Sequence, residues 1–386
     1  MSAAARKAFD EAVSLESSGD LDKALASFLK AQELSPEDTE ISYRTASALL
    51  QAGFLDEAQS QLRRIVFAEP DHLKARASLG NCQLLLGDLV NASSNFREVI
   101  SQDPADRNAL YGLATVLLKG DTPEEALPLA RSLLDQMPAS PAALTLLADA
   151  FSKTGQVPQA IATYRKALKS APKDVSALLG LSEALLRGKR FDEVIGYAVQ
   201  ASSLVPENPR PLELLAEALA SQGALDDALE AAEAALKLGS TSVSSFVRLS
   251  IISRKLGNYT DALRYALAAH DEDANAPEPY NALGSALASL KHISKARSVL
   301  TGLSGGKGLD EEIRDFVEKL TREATTDTNQ QDLVEEDRSE DLSLGDTEVP
   351  RTQSSKTKQQ NPTHGAVSDD QFQLPNVLGL SRQDRS

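Results

Sequence analysis

The amino-acid sequence predicts an all-α protein made of tandem helical hairpins, and two observations lead to this prediction. Of the 386 residues, 41% are hydrophobic but only 4% are aromatic, so alanine and leucine supply most of the apolar surface. These two residues favour helices, whereas strands prefer β-branched and aromatic residues. The second observation is an internal repeat of 34 residues, a length that accommodates one helix–turn–helix unit.

The repeat is defined by columns of equivalent residues at a constant spacing of 34. One column consists of prolines: Pro36, Pro70, Pro104, Pro138, Pro172 and Pro206. A column of small residues starts twelve positions before the first proline: Ala24, Ala58, Ala92, Ala126, Ala160, Val194, Ala228, Ala262 and Ala296. A third column consists of leucines: Leu79, Leu113, Leu147, Leu181, Leu215, Leu249 and Leu283. The uninterrupted register predicts nine copies: 5–38, 39–72, 73–106, 107–140, 141–174, 175–208, 209–242, 243–276 and 277–310.

A single copy has the pattern of two helices joined by a turn. In residues 141–174, the first helix is indicated by apolar residues at the i, i+3, i+4, i+7 spacing of a buried face: Leu144, Leu147, Ala148 and Phe151. Gly155 supplies the backbone freedom that the turn needs, and Pro172 stops the second helix. One hairpin cannot bury its apolar face alone, so successive copies are expected to stack.

This order of leucine, small residue, aromatic, alanine and proline resembles the tetratricopeptide repeat family, and the resemblance covers about four fifths of the chain. It implies a right-handed superhelical α-solenoid in which the first helix of each copy lines a concave groove. In the family, that groove binds peptides or segments of other proteins. Members that capture chaperone C-termini use a Lys/Asn/Asn/Lys/Arg clamp. Only Asn81 fits this clamp, with Ala77 and Ser78 beside it, so such capture is not expected.

After the ninth copy, the sequence predicts a capping helix and then a disordered tail. The helix, residues 311–323, belongs to an apolar stripe formed by Leu309, Ile313, Phe316, Val317 and Leu320. The tail covers residues 324–386, and its first part, 324–350, carries nine acidic side chains, one basic side chain and no aromatic one. Such a segment buries too little apolar surface to offset its ordering entropy.

Charge and cysteine content exclude several classes of protein. The 40 basic and 56 acidic residues give a net charge of −16, which argues against nucleic-acid binding and against an anionic membrane surface. The single cysteine, Cys82, excludes a disulfide framework and a cysteine-rich zinc site. No apolar run approaches the roughly 18 residues of a membrane helix, and residues 1–10 lack the apolar core of a signal peptide. We therefore expect a cytoplasmic protein without membrane insertion.

The sequence contains only partial matches to known motifs for catalysis and metal binding. Residues 302–306 read G-x-S-x-G, but they follow a helix instead of forming the strand-to-helix elbow that presents a nucleophilic serine. Asp271, Asp273 and Asn275 resemble the start of a calcium loop, but Ala276 replaces its glycine and the closing glutamate is missing. We expect no catalytic residue, no cofactor and no metal.

The family resemblance also implies which side chains line the groove. Carried over copy by copy, these are Tyr43, Ser47, Leu50, Lys74, Asn81, Leu84, Tyr111, Thr115, Leu118, Asp149, Leu179, Glu183, Leu186, Glu213, Glu217, Ile251 and Arg254. Tyr43, Leu50, Leu84, Tyr111 and Leu118 are expected to form an exposed apolar patch, unless these side chains pack between helices instead. A basic row recurs at the ends of first helices, where it either lines the groove or only offsets the helix dipole: Lys119, Lys153, Arg187 and Lys255.

These features favour a non-catalytic scaffold or adaptor that holds an extended or helical segment of another protein in the groove. Two alternatives stay open: a structural protein that assembles into homo-oligomers, and a regulatory subunit of a separate enzyme. A further hypothesis concerns the tail. Because a tethered segment has a high effective concentration near the groove, residues 324–350 can shield the basic row. The apolar segment from Phe372 to Leu380 then either occupies the groove near Tyr111, where it competes with a partner, or recruits a partner itself. The simpler alternative is a solvated tail that only promotes solubility.

Overall fold

The computed structural model describes residues 1–120, 122–304 and 308–322, and within these ranges the chain forms helices and no strand. This confirms the predicted all-α class built from tandem hairpins. The first helices of the hairpins are α1 (Ala3–Ser17), α3 (Thr39–Gln51), α5 (Leu73–Leu85), α7 (Arg107–Lys119), α9 (Pro141–Lys153), α11 (Val175–Arg187), α13 (Arg210–Gln222), α15 (Val243–Leu256) and α17 (Pro277–Ser289). The second helices are α2 (Leu21–Leu34), α4 (Leu55–Ala68), α6 (Leu89–Gln102), α8 (Pro123–Gln136), α10 (Val157–Ser170), α12 (Phe191–Leu204), α14 (Leu225–Lys237), α16 (Tyr259–Glu272) and α18 (Ile293–Ser304). A last helix, α19, covers residues 311–322.

Capping side chains and left-handed turn residues define the hairpins. Asp38, Asp106 and Ser140 precede first helices and accept a hydrogen bond from the backbone N–H three residues later, as N-cap residues do. Gly155, between α9 and α10, has a φ of +76°, in the left-handed region that other residues rarely adopt. In the equivalent turn between α11 and α12, Lys189 has a φ of +57°, which strains a residue with a Cβ atom.

The described chain divides into two compact units, residues 1–184 (unit 1) and residues 185–322 (unit 2). In unit 1, α3 packs against α5, α5 against α7 and α7 against α9; in unit 2, α13 packs against α15 and α15 against α17. In the part of the chain that the structure describes, no comparable contact joins one second helix to the next. The first helices therefore form the more closely packed layer of each unit.

Aromatic rings from second helices insert between first helices of unit 1 where glycine leaves room. Phe96 of α6 lies over Gly112 of α7, where an added Cβ atom would come within 2.3 Å of the ring. Tyr164 of α10 has the equivalent position two copies later, over Gly180 of α11, with a corresponding distance of 2.5 Å. Both rings are almost fully buried. Glycine at these two positions thus allows a rigid ring to pass between neighbouring first helices.

At the end of unit 2, α19 packs on the apolar surface of the last hairpin. Ile313 and Val317 are buried in one cluster with side chains of α16, α17 and α18. The ring of Phe316 meets the ring of His292 edge-on, with centroids 4.9 Å apart. The predicted tail, 324–386, lies outside the described residues, as do residues 305 and 306 at the end of the G-x-S-x-G segment.

Candidate protein-binding face

The predicted groove residues lie on the first helices, and we call the set within residues 1–184 the unit 1 face. Its exposed members are Lys74, Lys119 and Lys153. Its half-buried members are Tyr43, Ser47, Leu50, Tyr111, Thr115, Asp149, Leu179 and Glu183, and its buried members are Asn81, Leu84 and Leu118. In unit 2, the half-buried residues are Leu186, Glu213, Glu217 and Arg254, and the exposed residues are Arg187, Ile251 and Lys255.

The prediction of an exposed apolar patch on unit 1 is wrong. Leu84 is only 4% exposed and Leu118 only 9%, while Tyr43, Leu50 and Tyr111 are half-buried. The physical reason is the close packing of successive first helices. Helix α5 lies between α3 and α7, and almost every side chain in its second half is buried. The five side chains fill space between helices, as in the alternative interpretation of the pattern.

The predicted basic row is exposed at the ends of four first helices. Lys119, Lys153, Arg187 and Lys255 each lie in the last turn of their own helix. A cation there interacts favourably with the partial negative charge of the helix C-terminus. The segment predicted to shield this row, 324–350, lies outside the described residues.

A polar cluster centred on α9 distinguishes the unit 1 face. Tyr164 reaches between α9 and α11, and its hydroxyl donates a short hydrogen bond to Asp149 Oδ1. Burial raises the pKa of the half-buried Asp149 carboxyl to about 7, and the charges of Glu183 and Asp174 act in the same direction. The Tyr164 hydrogen bond and the charge of Lys153 oppose this rise in pKa. The result is a carboxyl group that is only partly ionised at neutral pH.

Thr145 lies one helical turn before Asp149, on the same face of α9. Its side chain is 7% exposed, and its hydroxyl has no hydrogen-bond partner among the residues that the structure describes. By contrast, Thr45 and Thr115 donate to the backbone carbonyl four residues earlier, at 2.8 and 2.9 Å. Across the cluster on α7, burial and the nearby charge of Asp149 raise the pKa of the Tyr111 hydroxyl to about 12.

The sequence analysis missed two members of this cluster, Thr145 and Tyr164. Both carry a signal in the repeat columns, because Thr145 stands 34 residues after Tyr111 and Tyr164 stands two copies after Phe96. Helical periodicity assigned the neighbours of Thr145 to the core and Tyr164 to an apolar face. Tyr164 brings a hydroxyl into a column that is otherwise apolar in the sequence, and this was the informative difference.

In unit 2 the predicted groove carboxylates already have partners. Glu213 accepts hydrogen bonds from Ser240 and, at 2.8 Å, from Arg210. Burial acts to raise the pKa of Glu213, but these two hydrogen bonds and the charge of Arg210 hold it below its ordinary value. Glu217 of α13 pairs with Arg248 of α15 at 2.8 Å. These carboxylates therefore stabilise the fold of unit 2 and are less available to a ligand.

Two other features limit the chemistry of the described residues. Nowhere in residues 1–120, 122–304 and 308–322 do three or more His, Cys, Asp or Glu side chains gather to hold a metal ion, and no helix there has the length and apolar character needed to span a bilayer. The Cys82 thiol donates to the Leu55 carbonyl oxygen at 3.0 Å, and burial raises its pKa to about 11. Such a thiol is a packing group and a poor nucleophile.

Comparison with known proteins gives matches to two sequence profiles, both described as tetratricopeptide repeat. One profile matches residues 15–82 and 117–185. The other matches residues 91–141 and 193–243, so that the two together cover more than half of the chain. No curated protein matches the sequence.

Two solved structures illustrate the similarity of the fold. The APC/C hetero-tetramer Cut9-Hcn1 is 15% identical, with a TM-score of 0.59 over 69% of this chain and 52% of the other. The chain thus spans about half the length of that structure. A tetratricopeptide repeat protein from Parabacteroides merdae ATCC 43184 is 19% identical, with a TM-score of 0.52 over 64% of this chain and 98% of the other. At these identities the similarity concerns the fold alone.

Proposed function

The chain belongs to the tetratricopeptide repeat family, and from this premise we propose that it is a non-catalytic interaction scaffold. Its partner is an extended or helical segment of another protein, which lies along the side chains of the first helices. The first helices of each unit pack closely together, whereas the second helices do not, as expected for the inner layer of a curved stack. This arrangement supports a binding groove on the first-helix side.

The observation that carries the proposal is the composition of the unit 1 face. A layer of helices packed for stability alone would place apolar side chains between neighbouring helices. Instead, the polar side chains of Ser47, Thr115, Asp149 and Glu183 stand half-buried on these helices. Partly accessible polar groups beside an apolar surface are typical of protein interfaces, where they fix the orientation of the partner.

Site-specific photo-cross-linking in cells that express the full chain tests this function. A photoreactive phenylalanine analogue replaces Lys74 or Lys119, which are exposed on first helices. As matched controls it replaces Phe67, which is 90% exposed on α4, or Val90, which is 81% exposed on α6. We expect a discrete cross-linked partner from the first-helix positions only. Cross-links from Phe67 and Val90, with none from the first helices, would contradict the proposal.

The same experiment must also distinguish self-assembly of this chain from the scaffold function. If the first-helix face binds a second copy, the cross-linked product contains this chain alone. Light scattering during size-exclusion chromatography then gives a multiple of the 41.2 kDa mass of one chain. A monomeric mass together with a cross-linked product of a different protein supports the scaffold.

A further inference from the structure

The polar cluster on α9 leads to a more specific inference, which rests on the proposed function. We propose that Asp149 and Thr145 form a subsite for a basic side chain, the ammonium of lysine or the guanidinium of arginine, of the segment bound to the unit 1 face. The negative charges of Glu183 and Asp174 favour the same ligand.

Asp149 holds its carboxyl near other acidic groups without a positive partner. The carboxyl accepts the hydrogen bond of Tyr164 but forms no ion pair with any residue of the described ranges. Lys153, one turn later on α9, is exposed and influences the pKa of Asp149 without pairing with it. Glu183 and Asp174 add negative charge nearby. Burial and these neighbouring negative charges disfavour the ionised form of Asp149, and strongly shifted carboxyl groups of this kind cluster at functional sites.

The unpartnered hydroxyl of Thr145 is a second, independent observation that points to a ligand. It is more than nine-tenths buried, and within the described part of the chain no group bonds to it. Thr45 shows the usual solution for a threonine in a helix, because its hydroxyl donates to the carbonyl of Ile41 at 2.8 Å. The Thr145 hydroxyl does not form this hydrogen bond. Its side chain lies on the face of α9 that carries Asp149.

The chemistry of these two groups favours a ligand that donates hydrogen bonds, although the threonine hydroxyl can also donate one itself. A carboxylate accepts, and a threonine hydroxyl has two acceptor lone pairs. A lysine ammonium has three N–H donors and an arginine guanidinium has five, and neither accepts. A basic side chain therefore satisfies the Asp149 carboxylate and the Thr145 oxygen together, and it compensates the charge of the cluster.

Other ligands fit less well. An acidic side chain would be repelled by Asp149, Glu183 and Asp174. An apolar side chain would leave the carboxylate desolvated and unpaired, which is unfavourable. A metal ion needs more ligands than this cluster offers, since no group of three or more suitable side chains exists among the described residues. Among these ligands, a basic side chain therefore fits the cluster best.

Fluorescence anisotropy with labelled nonapeptide pools tests the subsite on the full chain. The pools share mixed flanking residues and differ in a fixed central residue: lysine, arginine, norleucine or glutamate. Norleucine keeps the aliphatic stem of lysine and lacks its charge. We expect the lysine and arginine pools to bind about tenfold more tightly than the norleucine pool, since hydrogen bonds between charged groups are the strong ones. The glutamate pool should bind most weakly.

Variants assign this preference to the cluster. Asp149→Asn should still bind the norleucine pool but lose the preference for lysine and arginine over norleucine. Thr145→Val should reduce the preference for lysine and arginine over norleucine. Asp135→Asn makes the same change of charge on the exposed surface of α8 and should keep the preference. The norleucine pool serves as the folding control in each case.

The pH dependence of the wild type gives a test that needs no variant. The groups that face Asp149 are Tyr111 on α7 and Tyr164, Glu183, Asp174 and Lys153. Burial together with the last four sets the pKa of its carboxyl at about 7. Protonation below this value removes the charge that attracts a basic side chain. Affinity for the lysine pool should therefore fall about tenfold from pH 8 to pH 6, while norleucine binding stays constant.

The outcomes separate this inference from the proposed function. Equal binding of the lysine and norleucine pools would overturn the basic subsite and leave the scaffold intact. Lysine preference that survives in Asp149→Asn, or that does not change between pH 6 and pH 8, would also overturn the subsite. If no pool binds and the photo-cross-links come only from second helices, both proposals fail.

Discussion

Replacing Asp149 with asparagine should stabilise unit 1, and the gain should grow as the pH rises. Asparagine has the same shape, accepts the Tyr164 hydrogen bond and cannot ionise. In the wild type, folding moves the pKa of this carboxyl from its ordinary value of 3.8 to about 7, mainly through burial. The unfolded chain releases the proton at lower pH than the folded chain, so ionisation favours unfolding as pH increases.

The size of the effect follows from the shift in pKa. A difference of one in pKa between the folded and unfolded chain corresponds to about 1.36 kcal/mol in the free energy of unfolding. Above pH 7, the rise from 3.8 to about 7 therefore destabilises the folded state by roughly 4 kcal/mol relative to acidic solution. About half of this, ~2 kcal/mol, develops between pH 5.5 and pH 8, because the unfolded chain is already ionised over most of that interval. The asparagine variant should gain that difference relative to the wild type.

Hydrogen exchange of the α9 and α10 amides is the suitable assay, because repeat arrays often open locally before they unfold as a whole. Protection in Asp149→Asn is compared with the wild type at pH 5.5 and pH 8 after correction for the intrinsic exchange rates. Asp135→Asn, at an exposed position of α8, controls for the loss of one negative charge. A stabilisation that is equal at the two pH values, or that decreases with pH, would refute the reasoning.

Three further predictions concern packing and the backbone. Lys189→Gly should raise the stability of unit 2 by about 0.5–1 kcal/mol, because glycine relieves the left-handed backbone there; a lower midpoint in urea unfolding would contradict this. Gly180→Ala should destabilise unit 1 by roughly 1–3 kcal/mol, since the new Cβ atom meets a buried ring, and an unchanged midpoint would show that the ring can move aside. Leu147→Ala removes a side chain that is only 7% exposed and should destabilise unit 1 by roughly 2–5 kcal/mol. Lys153→Ala, at an exposed position, should change the stability by less than about 0.5 kcal/mol. Equal losses in urea unfolding would mean that the assumed register of the repeat is wrong.

The fold was largely predictable because local signals agree along the whole chain. The columns of proline, alanine and leucine fix where hairpins begin and end, and they need no knowledge of long-range contacts. One turn shows the limit of this reasoning. The sequence has Gly188 where a turn glycine is expected one residue later, and the structure places the left-handed conformation at Lys189.

The candidate site was less predictable because it depends on how neighbouring hairpins pack. Leu84 and Leu118 occupy groove positions of the family, yet their exposure depends on the distance between successive first helices, which a single copy does not specify. The contact between Tyr164 and Asp149 joins a second helix to a first helix through the space above Gly180. A prediction of that contact would require the three-dimensional register of α9, α10 and α11.

The central claim, that a partner segment lies on the first-helix side, is tested most directly by hydroxyl-radical footprinting of side chains. The full chain is oxidised with and without the lysine-centred peptide pool, and the modification of each aromatic residue is measured. We predict that Tyr111 and Tyr43, which are half-buried on first helices, become protected when the pool is bound. Phe67 on the second helix α4, which is 90% exposed, should be oxidised equally in both samples. Protection of Phe67 without protection of Tyr111 would contradict the account.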